Sequence, residues 1–108
     1  MTHGRFIAAN LEKGTGPASN HYFSNLVGLL ALGLLFRGAE EADGWRGFAA
    51  AEIPRENRAQ TCDDGVDYEA SIPYHRLMTE MALVALVLLE RGGGRADDMA
   101  ARVRAMAE

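Results

Sequence analysis

Two short runs hold the side chains with the greatest capacity for chemistry: Asn20-His21-Tyr22, and Tyr74-His75-Arg76, whose tyrosine lies 54 residues beyond Asn20. The first run follows Ser19 at the expected start of a helix. An amide and an imidazole there stand among free backbone N–H groups at the positive end of the helix dipole, a favourable place for an anion. The plainer alternative is that Ser19 and Asn20 only cap the helix. In the second run Tyr74 is a candidate acid/base. A phenol has an ordinary pKa of about 10 and needs neighbouring positive charge to favour its phenolate. Arg76 and a helix N-terminus are candidates to supply that charge. The alternative here is a turn and a cap, with Tyr74 half buried. His3, His21, His75 and Cys62 show no HExxH or CxxC spacing, so no metal site and no cofactor are expected. Cys62 is the single cysteine, which excludes an internal disulfide, and beside Asp63 and Asp64 it has no activator.

These runs must be positioned by helices. Apolar spacing and turn residues predict five, over about 2–11, 19–36, 43–60, 72–91 and 97–108. Gly14-Thr15-Gly16-Pro17 breaks the chain after the first, Gly38 closes the second, and Gly92-Gly93-Gly94 stops the fourth. Asp43, Ser71 and Asp97 read as N-caps. Pro73 falls in a first turn, where its missing N–H costs nothing. Pro54 is expected to kink or shorten the third helix, and Asp63-Asp64-Gly65 reads as a turn. Leu26–Phe36 and Met81–Leu89 are apolar all round, the mark of helices buried on every side. The helix between them is amphipathic, with Trp45, Phe48, Ala49 and Ile53 on one face. Short loops make successive helices antiparallel. The two apolar helices should then run parallel, with the amphipathic one reversed outside them. Inner and outer helices in that arrangement are the layout of an α/α toroid, and it brings residues 19–22 and 71–76 to one face.

The 108 residues suffice for one small domain, with 48% hydrophobic and 24% charged residues. A net charge of −4, with Lys13 the only lysine among eleven cations, argues against a nucleic-acid binder working through bulk basic charge. The longest apolar run is Leu26 to Phe36, far short of the roughly 20 residues a membrane span needs. No charged n-region followed by an apolar h-region opens the chain, so no secretory signal is visible. Two wholly apolar helices need partners on several sides, and a chain this short supplies few. Self-association through uncovered faces, or membership of something larger, is therefore expected.

The order Asn20-His21-Tyr22, Leu26-Val27-Gly28-Leu29-Leu30, Trp45, Asp64-Gly65, Glu69-Ala70-Ser71 and Tyr74-His75-Arg76 resembles the heparinase II/III-like polysaccharide lyases, which are related to several alginate lyases. The likeness runs from about Arg5 to Met106. It implies an all-α fold, a partial α/α toroid that is a slice of a larger one, in a family whose toroid is followed by a β-sandwich. It further implies β-elimination on an acidic, uronate-containing polysaccharide. Asn20 matches the group that neutralises the uronate carboxylate, and Tyr74 matches the acid/base. His21 would orient the carboxylate or act as a second base. Tyr22, His75 and Arg76 would bind substrate or tune Tyr74, Glu69 would hold the loop, and Gln60 would be a supporting donor. The family also uses a further catalytic residue from later in the chain, so the isolated 108 residues are expected to show little or no activity. Such lyases often work in the periplasm or outside the cell; the compartment of this chain stays open. The competing reading is a small, non-enzymatic helical module that dimerises through apolar faces.

Overall fold

The computed structural model describes residues 1–13, 20–60, 72–94 and 96–108, and for residues 72 and 74 the backbone alone. Ser19, Asp63-Asp64-Gly65, Cys62, Glu69 and Ser71 lie outside the described residues. Among the described residues there are five helices: α1 (Thr2–Ala9), α2 (Asn20–Leu35), α3 (Glu40–Gln60), α4 (Ile72–Arg91) and α5 (Asp97–Ala107). The fold is all-α.

Local chemistry explains where the helices begin and end. α1 stops at Ala9, before the expected Leu11, because Asn10 turns back on it: its backbone N–H reaches the Ile7 carbonyl and its side-chain amide the Phe6 carbonyl at 2.8 Å. α2 ends in a turn whose Gly38 has φ +98, a left-handed conformation that glycine adopts without steric cost. α3 starts earlier than an Asp43 cap would allow. The Asp43 N–H is already bonded to the Ala39 carbonyl at 2.9 Å, and Glu40, Glu41 and Asp43 together occupy the first turn, where the dipole favours acids. Pro54 does not shorten α3, which continues to Gln60. Pro54 removes one intrahelical bond, but Ile53 and Asn57 on either side of it are fully buried and hold the helix to the core. In α5, Asp97 lies inside the first turn and Ala96 takes the cap position.

α2 and α3 form the tightest pair, and they run antiparallel. The close end is Gly33, where a Cβ would fall 2.7 Å from both the Ala42 carbonyl oxygen and the Arg46 Cβ. At the other end, the Tyr22 hydroxyl reaches Glu52. α1 lies across this pair, with Gly4 flat against the Trp45 ring and Arg5 paired to Glu41 at 2.9 Å. α4 runs parallel to α2. Asn20 and Ser24 face Leu77 and Met81 at one end, and Leu34 lies against Gly92 at the other. α5 returns along α4 and the end of α3. It contributes Met99, Val103 and Met106 to the core and an Arg58–Asp98 ion pair at 2.6 Å. That pair holds the Asp98 carboxyl below the usual carboxylate range, the Arg58 hydrogen bond being the main cause.

Two expectations need correction. Phe48 does not share the burial of Trp45, Ala49 and Ile53; it is 42% exposed. It lines a surface depression with Ala8, Leu11, Leu29 and Trp45, which cover it only in part. Nor is either apolar run covered on every side, since Leu35 at the end of α2 and Leu83, Val84 and Val87 of α4 are each 42% exposed or more. Five helices of this length cannot surround α4, and its outward apolar face meets solvent.

Candidate functional site

The parallel course of α2 and α4 brings two helix N-terminal regions together. Between them lies an open groove of about 430 Å³ lined by Asn20, His21, Ser24, Leu77 and Met81. Asn20 is the first residue of α2 and is buried. His21 follows it and is largely exposed, with Nδ1 3.3 Å from the Glu12 carboxylate. Ser24 lies one turn beyond Asn20 on the same face and gives its hydroxyl proton to the His21 carbonyl. From α4, Leu77 and Met81 form an apolar wall. Tyr74 belongs to the first turn of α4, and positions 74, 77 and 81 share one helix face by their spacing of three and four. The arrangement therefore offers an amide, an imidazole and the N-terminal N–H groups of α2 beside an apolar wall. That combination is suited to a ligand with an anionic group and a less polar body.

The remaining sequence candidates are distributed differently. Tyr22 is buried in the core, and its hydroxyl donates to Glu52 at 3.0 Å, on the α3 side of α2. Burial first, and then the hydrogen bond and charge of Glu52, push its pKa up to about 12. A phenol so held keeps its proton at neutral pH and is unfit to act as a base. His75 faces α5, where Nε2–H donates to the Met106 carbonyl at 3.0 Å. Gln60 is buried at the end of α3 with its amide toward Glu56. Arg76 is exposed and paired with Glu80 at 3.1 Å one turn on. A pair of that kind is worth little and is easily exchanged for another anion. Glu69 lies outside the described residues, as does the side chain of Tyr74. Among the described residues no group of three or more His, Cys, Asp or Glu is placed to hold a metal ion, and no helix is long and apolar enough to cross a membrane.

The Tyr22–Glu52 bond carries a pH prediction. The folded pKa lies above the ordinary value of about 10, so the native state retains a proton that the unfolded chain loses. Its stabilising contribution is whole below about pH 10 and drains away as pH rises toward 12. Tyr22→Phe should therefore flatten the alkaline limb of a stability–pH curve by on the order of 2 kcal/mol. At neutral pH the loss should be near 1 kcal/mol, the worth of one hydrogen bond. Urea melts at pH 7, 10 and 11.5 check it (about 2 pH units bracket the effect).

Sequence reasoning missed Ser24, Leu77 and Met81 as groove walls. Their signal was present in the register, since 20 and 24, and 74, 77 and 81, recur on single helix faces. It also missed Glu12, which lies across a glycine- and proline-containing stretch from His21 and carries no local mark.

Residues 1–107 match the family model described as Heparinase II/III N-terminus. The chain belongs to that family. No curated protein and no solved structure matches it. For a heparinase II/III N-terminal domain the mostly apolar groove between α2 and α4 is the candidate site, because it holds the Asn20-His21 pair against Leu77 and Met81 of α4. Membership also supports a polysaccharide lyase family assignment and a polysaccharide as substrate.

Proposed function

We propose that this heparinase II/III N-terminal domain supplies part of a cleft that cleaves uronic-acid-containing glycans by β-elimination. The uronate carboxylate would sit at the start of α2, with the Asn20 amide donating to it. An ionised carboxylate makes the C5 proton very weakly acidic; hydrogen-bond donors aimed at its oxygens stabilise the enolate that forms when that proton leaves. A base takes the C5 proton, the electron pair closes the C4–C5 double bond, and the 4-linked oxygen departs with a proton from an acid. Tyr74 is assigned as that acid, and as the base in the same active site where one group does both. His21 is assigned as carboxylate orienter or second base. Arg76 attracts the polyanion locally, as a chain of net charge −4 requires.

The observation that carries this reading is a groove between the start of α2 and the N-terminal half of α4 that contains Asn20 and His21. The parallel α2 and α4, with α3 reversed against them, also support reading the chain as a slice of an α/α toroid. Among the described residues two helices wall the groove, and a substrate gripped from two sides is poorly held. Misplacement alone costs about 10²-fold, and the 108 residues by themselves should turn substrate over slowly or not at all.

Titration of the labelled protein with an oligouronate tests the proposal. Resonances of the Asn20 amide, His21, Ser24, Leu77 and Met81 should move, and a neutral oligosaccharide of equal length should leave them still. Equal responses to both sugars, or shifts confined to other faces, would refute the assignment. A second reading, a non-enzymatic module that self-associates, is favoured by the exposed Leu83, Val84 and Val87 of α4. A compact dimer by solution mass, with no response to the uronate, would favour it instead.

A further inference from the structure

The segment from Leu11 to Lys13 is tied to the helix pair at every residue. Leu11 packs against the core. The Glu12 backbone N–H donates to the Asn25 side-chain oxygen at 2.9 Å. The Lys13 ammonium lies 3.5 Å from Glu52 and 5.3 Å from the centre of the Tyr22 ring. This strap leaves the Glu12 carboxylate 3.3 Å from His21 Nδ1. Asn25, which anchors the strap, is one turn beyond His21 on α2, so the anchor and the imidazole lie on the same side of the helix.

We propose that Glu12 is a positioning residue for His21. In neutral imidazole one ring nitrogen carries the proton and the other accepts, and the partner of one nitrogen decides the state of both. An ionised carboxylate only accepts. Glu12 therefore holds the proton on Nδ1 and leaves Nε2 as the accepting nitrogen, the reverse of the arrangement that free histidine prefers. His21 lines the groove although its side chain is largely exposed, so the groove gains an imidazole with its lone pair on Nε2. The role of that lone pair as a base or carboxylate orienter rests on the lyase reading; the tautomer itself does not.

Long-range nitrogen–proton NMR spectra of the three histidines, recorded without substrate at a pH where imidazole is neutral, test the idea. His21 should be mainly the Nδ1–H tautomer in the native protein. Glu12→Ala, a change at an exposed side chain, should turn the population over to mainly Nε2–H. Lys13→Ala alters the same strap without touching the carboxylate and should leave His21 as in the native protein. A native His21 that is mainly Nε2–H would overturn the proposal, as would a Glu12→Ala variant with an unchanged ratio. So would a Lys13→Ala variant that shifts the ratio as far as Glu12→Ala. Because no sugar is present, failure here is distinct from failure of the uronate titration.

Discussion

Asn20→Ala should abolish whatever elimination the protein performs on a uronate polysaccharide, a fall of about 10²–10³-fold, the cost of removing one oxyanion donor. The increase in ultraviolet absorbance from the unsaturated uronate measures it. The argument rests on place and residue type. Asn20 is buried at the first position of α2 and faces the groove. A carboxamide offers two N–H donors and carries no charge, so it can reach an ionised carboxylate without first being paired to something else. Alanine keeps a good helix former in place while deleting both donors. Helix content should therefore stay within error of the native protein, which separates loss of chemistry from loss of fold. Tyr22→Phe, by contrast, should leave elimination nearly unchanged, because its hydroxyl is committed to Glu52 on the far side of α2.

Phe23→Ala should cost about 3–5 kcal/mol of stability. Phe23 is fully buried among Leu26, Leu29, Leu30, Ile53 and Met78. A domain of 108 residues has on the order of 5–15 kcal/mol in total. The variant is thus expected to lose much of its cooperative transition and to bind a hydrophobic dye, as loosely packed helical states do. Calorimetry of native and variant proteins checks this, and a change of less than about 1 kcal/mol would mean that the α2–α3–α4 core is not what holds the fold. The effect also reaches the groove. Phe23 lies three positions after Asn20, so the residue that pins the start of α2 to the core also holds the candidate amide in place.

Most of the helix pattern was legible because it depends on local signals. The apolar runs of α2 and α4 and the triple glycine after Arg91 each act within a few residues. The parallel course of α2 and α4 followed from counting short connections. Where expectation and structure part, a tertiary contact decides. Phe48 shares a helix face with Trp45 but is covered only in part, beside Ala8, Leu11 and Leu29. Asp43 has the composition of a cap, yet the Ala39 carbonyl already fixes its N–H within the helix. His75 belongs to the same run as Tyr74, but the start of α4 turns it to the end of α5. Tyr22 looked like a site residue because it adjoins His21; a rotation of about 100° per residue sends it to α3. Glu12 was invisible because its partner is brought to it only by the folding of the strap.

The central claim is that the amide of Asn20 and the phenol of Tyr74 meet the same sugar residue. Intermolecular nuclear Overhauser contacts from a bound oligouronate test it most directly. One uronate ring is predicted to show contacts to both the Asn20 side-chain amide and the Tyr74 ring, with Leu77 and Met81 methyl contacts between them. Contacts from that ring to Asn20 alone or to Tyr74 alone, in a complex that is otherwise saturated, would contradict the account.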